Sequence, residues 1–176
     1  SERAIPVQGM YSASKHAVKG FTEALRMELE KDGLPIAVTL VQPTSIDTPF
    51  TRAARNYQDR FPSLPPPVYA PEIVAKTILY CATHPTRNIM VGGGAKFISL
   101  MARYLPRLTD WWMESRLFEQ QKSDRPPAGR QEHALFEARG EGLHERGEYE
   151  GHVARSSLYT AAVRRPLVTT ALLVGV

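Results

Sequence analysis

The chain has 176 residues, 43% of them hydrophobic, and a formal net charge of +4 with Lys and Arg interspersed among Asp and Glu. That length suffices for one ordinary core, and so dispersed a charge leaves no basic stripe for nucleic acid. A single cysteine, Cys81, excludes an internal disulfide and fits a reducing, cytoplasmic setting.

From Tyr11 to Asp32 the residues Ala13, Ala17, Phe21, Ala24, Leu25 and Leu29 fall at spacings of three and four, and Gly33 stands where a helix would be capped. Pro35 leads into Ile36 to Val41, a nearly continuous apolar run rich in β-branched residues, as expected of a parallel strand buried on both faces. Six prolines punctuate Pro43 to Pro67, with a short helix expected around Phe50 to Arg60, and Phe50 to Val68 reads as a lid over a site. Pro71 opens a further helix that carries Cys81, as a small buried side chain, and continues to His84 before Pro85. Asn88 to Val91 is a second short strand, followed by Gly92-Gly93-Gly94. Phe97 stands where a dinucleotide fingerprint needs glycine and no Lys-Ser pair follows, so the glycines read as a flexible strand exit.

Phe97 to Trp112 forms one or two apolar helices broken near Pro106, which must bury against the domain, a subunit partner, a hydrophobic substrate or a membrane surface. From Glu119 to Gly151 polar residues dominate and isolated Leu135, Phe136 and Leu143 cannot build a core. His133, His144 and His152 lie there without partners at ligand spacing, so no metal site is expected. Arg155, Arg164 and Arg165 precede Pro166 and an apolar run of ten residues, Leu167 to Val176, against the roughly 20 that a membrane span requires. The run is expected to be an interfacial helix or a spanning helix cut short, with a helix packed on the core as the alternative. The organisation is thus 1–118 as an α/β domain, 119–152 as a charged, loosely ordered linker, and 153–176 as a basic-then-apolar terminal helix.

Tyr11 and Lys15 share one helical face, so an ammonium can lie beside a phenol, favour the phenolate and allow proton exchange near neutral pH. Pro43-Thr44-Ser45-Ile46-Asp47-Thr48 follows the first strand, at the carboxyl end where open α/β sheets bind ligands. In this order the chain resembles the carboxy-terminal half of a short-chain dehydrogenase/reductase. The family's Tyr-x-x-x-Lys is seen as Tyr11 to Lys15 and its Pro-Gly-x-Val-x-Thr as Pro43 to Thr48, over about residues 1 to 105.

The resemblance implies the carboxy-terminal part of a doubly wound, Rossmann-like parallel-sheet domain that binds NAD or NADP and interconverts a ketone and a secondary alcohol. Tyr11 would act as general acid and base; Lys15 would support it and hold the nicotinamide ribose. Pro43, Ile46 and Thr48 would line the cofactor site, the Ile46 backbone and the Thr48 hydroxyl meeting the carboxamide. Thr44 departs from the family's glycine and puts a side chain near that site. The glycine-rich loop and the serine and asparagine that accompany the tyrosine belong upstream, yet only ten residues precede Tyr11, and Ser1 lies too near to be that serine. The sequence is therefore expected to be a piece of an enzyme, inactive alone, with a small carbonyl or alcohol substrate, a membrane surface and further subunits as partners. Residues from Glu119 onward are expected to be dispensable for chemistry. The rival reading is a noncatalytic interaction or membrane-associated segment.

Overall fold

The computed structural model describes residues 2–127, 144–166 and 169. Helix α1 (Gly9–Lys31) ends as its sequence requires: Gly33 takes φ +66°, and the amides of Gly33 and Leu34 turn back to the carbonyls of Glu30 and Leu29, each at 3.1 Å. After it come β1 (Leu40–Pro43), α2 (Phe50–Ala53), β2 (Val68–Tyr69) and α3 (Pro71–Thr83), with Pro71 at the first helical turn as expected. They are followed by β3 (Asn88–Val91), α4 (Gly93–Tyr104), α5 (Pro106–Gln120), β4 (Val153–Ala154) and α6 (Leu158–Val163).

β1 and β3 pair in parallel, Leu40 opposite Asn88 and Pro43 opposite Val91, so both strands end at the same level. Parallel neighbours need a crossover, and α3 lies within it. A second parallel pair joins Val68 to Val153 and Tyr69 to Ala154. Between the pairs, Tyr69, Ile73 and Val91 form a buried core against which Val41, Ile46, Val74 and Ala154 pack. The chain is α/β with parallel strands, as part of a Rossmann-like domain should be.

Several elements differ from the sequence expectation. The strand expected from Ile36 begins only at Leu40, whose amide donates to the Arg87 carbonyl at 3.1 Å; before that point the chain has no strand beside it among the described residues, and Ile36 is exposed. On α1 the stripe Ala13, Ala17, Phe21 and Ala24 is also exposed. The inward face instead buries Ser12 and Arg26, and the Arg26 guanidinium donates to the carbonyls of Val38 (3.1 Å) and Arg87 (2.8 Å), fastening the helix ahead of both strands.

The helix expected over Phe50 to Arg60 stops at Ala53. Beyond it the Asn56 side chain accepts from the Gln58 amide at 2.9 Å, a local turn that competes with helix. Gly93 and Gly94 are not a flexible exit but the first turn of α4, and of the three glycines only Gly92 has positive φ, +96°.

Both flanks of the stretch read as a linker join the fold. The Phe61 amide donates to Arg125 (3.1 Å), the Ser123 amide to Phe61 (2.9 Å) and the Ser63 amide to Gln121 (2.8 Å), while the chain around Gly147 lies on the loop after β1. Residues 128–143, with His133, lie outside the described residues. Where a basic-then-apolar terminal helix was expected, β4 and α6 form, and of Leu167 to Val176 only Thr169 is described. Among the described residues no helix is long and apolar enough to cross a membrane, and no group of His, Cys, Asp and Glu could hold a metal ion.

Candidate functional site

Tyr11 is the third residue of α1, and its neighbours in the first turn are held by local bonds. The Ile5 amide donates to Ser12 Oγ at 3.2 Å and the Ser12 amide to the Gln8 carbonyl at 2.8 Å, which anchors the start of the helix while Tyr11 points outward, 41% exposed. One turn on, Lys15 Nζ lies 5.3 Å from the centroid of the Tyr11 ring. The Tyr11 hydroxyl has no hydrogen-bond partner among the described residues, and Lys15 has no carboxylate partner there. A phenol without a hydrogen-bond partner and an ammonium without a carboxylate partner, among the described residues, therefore stand together in the open.

Pro43 ends β1 opposite Val91, and the Thr44 amide continues the ladder to the Val91 carbonyl at 3.0 Å. The chain then runs beside β2: the Tyr69 amide donates to Ser45 and the Asp47 amide to Tyr69, both at 2.9 Å. Because Tyr69 bonds to the residues on either side of Ile46, the Ile46 backbone groups are left unpaired among the described residues, while its side chain packs on the core. Thr48 is half-buried. Two residues later, Phe50 brings its ring to 5.4 Å from that of Tyr11, which joins the two motif segments. Sequence reasoning missed Phe50, since an exposed aromatic after a proline carries no spacing signal.

Thr44, the departure from glycine, is accommodated across the sheet. Its methyl group fills the space that a Cβ on Gly92 would need, and its hydroxyl lies toward Gly94. Asp47 is buried and accepts from the Tyr149 amide at 3.3 Å. Around it Glu148 pairs with Arg52 and Arg125, each at 3.4 Å, Glu150 pairs with Arg125, and Arg146 pairs with Glu72. The Glu72 carboxyl is held below its ordinary range by its own backbone amide in the first turn of α3 and by the Arg146 guanidinium.

The sequence model of short chain dehydrogenases matches residues 1–59, which contain both motif segments. The uncharacterized oxidoreductase YxnA of Bacillus subtilis is 41% identical over 175 residues, covering 99% of this chain and 49% of that protein. The putative oxidoreductase SadH of Mycobacterium tuberculosis is 35% identical over 113 residues, covering 58% of this chain and 40% of the relative. A 3-ketodihydrosphingosine reductase of Bacteroides thetaiotaomicron is 53% identical over 47 residues, 27% of this chain and 17% of that protein. No solved structure matches. The chain spans about half the length of the Bacillus relative, and that alignment includes the residues beyond Glu119. The segment with the Tyr11 and Lys15 pair on its helix and the Pro43 to Thr48 loop at the sheet's carboxyl end is thus similar to the short chain dehydrogenases, and these matches support an oxidoreductase of the short-chain dehydrogenase/reductase family.

Proposed function

We propose that this chain supplies the proton-transfer side of an NAD- or NADP-dependent oxidoreductase that interconverts a ketone and a secondary alcohol. The observation that carries this reading is the Lys15 ammonium 5.3 Å from the ring of a Tyr11 whose hydroxyl is free among the described residues. The donor set suits a nicotinamide nucleotide: an ammonium without a carboxylate partner can serve ribose hydroxyls, and the unpaired Ile46 backbone groups with the Thr48 hydroxyl can meet a carboxamide. When bound, that cofactor supplies or accepts the hydride at the substrate carbon.

In the reducing direction Tyr11 gives its phenolic proton to the developing alkoxide oxygen, and in the oxidising direction its phenolate takes the proton back. Lys15 stabilises the phenolate in both cases by placing positive charge beside it. Phe50, against the Tyr11 ring, limits the ring's freedom and carries the start of the lid to the reacting phenol. A hydrophobic substrate is favoured by the exposed Phe97, Tyr104 and Trp111 on α4 and α5, with the end of α5 tied to the segment leading into α1. The relative named 3-ketodihydrosphingosine reductase supports a keto substrate of that kind.

The test uses the full-length protein with NADH or NADPH and a panel of apolar ketones. Tyr11→Phe keeps the ring but removes the proton, so turnover should fall by about 10²-fold or more with little change in cofactor affinity. Lys15→Ala should weaken both. Near-wild-type turnover in Tyr11→Phe would reject the assigned role.

A further inference from the structure

We propose that Asp47 is a positioning residue through which the tail segment around Gly147 to Tyr149 holds the cofactor loop in its binding shape. The inference rests on the reading of Ile46 and Thr48 as cofactor contacts and reverses the expectation that everything beyond Glu119 is dispensable. Asp47 stands between those two residues, yet its side chain turns away from solvent and is only 5% exposed. It accepts from the Tyr149 amide at 3.3 Å, across 102 residues of sequence, while its own amide donates to Tyr69 at 2.9 Å. The loop is thus gripped from two sides, by β2 through the backbone and by the tail through the carboxyl group.

The tail approaches so closely that only glycine fits. A Cβ on Gly147 would stand 2.6 Å from both Asp47 Oδ1 and the Thr48 carbonyl oxygen, and one of those contacts is with backbone that cannot swing aside. Ion pairs extend the grip on either side: Glu148 reaches Arg52 on α2 and Arg125 after α5, and Arg146 reaches Glu72 on α3. Further along, the Thr160 hydroxyl of α6 accepts from the buried Gly92 amide at 3.0 Å, so the tail also ties down the adjoining strand end. A loop that must present backbone groups to a planar carboxamide gains affinity by being set beforehand, and small displacements of such contacts are costly.

The experiment compares Asp47→Ala, Asp47→Asn and Gly147→Ala in the full-length protein. NADH and NADPH affinity is read by fluorescence titration, and amide hydrogen exchange over residues 45–48 is read without cofactor. Asparagine keeps an acceptor oxygen for the Tyr149 amide, so Asp47→Asn should bind within about twofold of the wild type. Asp47→Ala and Gly147→Ala should bind roughly tenfold more weakly and exchange faster at 45–48, with the amides of α1 and β3 unchanged. A purely structural role would instead lower global protection and leave affinity in the folded fraction intact. Unchanged affinity in both disruptive variants, or an Asp47→Asn protein as weak as Asp47→Ala, would overturn the proposal. Should Asp47→Ala not fold, Gly147→Ala against Asp47→Asn decides in the same way. A wild type that binds neither dinucleotide removes the reading beneath the proposal, whereas the exchange measurement still reports on the grip itself.

Discussion

Replacing Gly92 by alanine should expose how the Thr44 departure is accommodated. Gly92 has φ +96°, where an L side chain is strained by about 1–3 kcal/mol. Its Cβ would meet the Thr44 methyl group well inside contact distance and stand 2.9 Å and 3.2 Å from two atoms of the Tyr69 ring. Such overpacking in a close-packed region costs about 1–3 kcal/mol. Gly92→Ala alone is therefore expected to destabilise by about 4 kcal/mol in total. Thr44→Ser deletes the nearest obstructing atom and alone should cost about 0.8 kcal/mol, the value of one buried methylene-sized group. In the double variant the methyl clash is gone while the φ strain and the Tyr69 contacts remain, so the two changes should cost about 1–2 kcal/mol less together than their sum. Urea unfolding of the four full-length proteins gives the cycle directly, provided each shows one cooperative transition. Additivity within about 0.5 kcal/mol would mean that Thr44 and Gly92 do not share this space.

Three further expectations follow from other parts of the molecule. Arg26→Ala should destabilise the protein by about 2 kcal/mol in the same assay, because the Val38 carbonyl loses its charged donor whereas the Arg87 carbonyl keeps the Leu40 amide; a change below about 0.5 kcal/mol would show that water replaces the guanidinium without loss. On adding cofactor and substrate, hydrogen exchange should slow over Phe50 to Arg60 and not over Phe61 to Pro65, since Phe61, Ser63 and Pro65 are already fastened to Arg125, Gln121 and the Ser45 hydroxyl; uniform slowing across both parts would contradict a lid hinged at Phe61. Cys81, expected as a small buried side chain, is only half-buried; that partial burial still pushes its thiol up and lowers its thiolate fraction at neutral pH, so iodoacetamide should label it more slowly than free glutathione, and faster labelling in the native protein would show a reactive thiol instead.

What the sequence revealed was local in origin. The helix carrying Tyr11 and Lys15, the strand Asn88 to Val91 and the Pro71 boundary are each announced by periodicity, a β-branched run or a backbone-restricting residue within a few positions. β1 could not be read so well, because the same apolar run that marks it extends upstream to residues that find no neighbouring strand among those described. The tail was misjudged for a related reason. Charged and glycine-rich composition signals loose chain, yet Glu148, Tyr149 and Gly147 act one by one, through an ion pair, an amide and a missing Cβ that composition does not register. One signal was available there: Ser157 before Leu158 to Val163 is a helix cap, and its hydroxyl accepts from the Thr160 amide at 3.2 Å. The Asp47 contact had no such mark, being between two irregular segments far apart in sequence.

The buried Gln121 bears on when, during folding, the Tyr11 end of α1 takes shape. Its side chain is 1% exposed, accepts from Gln8 Nε2 at 2.6 Å, and donates to the Pro6 carbonyl at 3.2 Å and to Leu117 at 3.0 Å. Gln8 caps α1 only three residues before Tyr11, whereas its partner lies 113 residues later. Closing so long a loop is entropically costly and repaid only once α5 has docked. On a ribosome, residues through Gln121 must have emerged before the turn that presents Tyr11 is locked. The body of α1 can form early from its own periodicity and local bonds, but the setting of its first turn, and with it of Tyr11 and Lys15, against the end of α5 is completed only once α5 has docked.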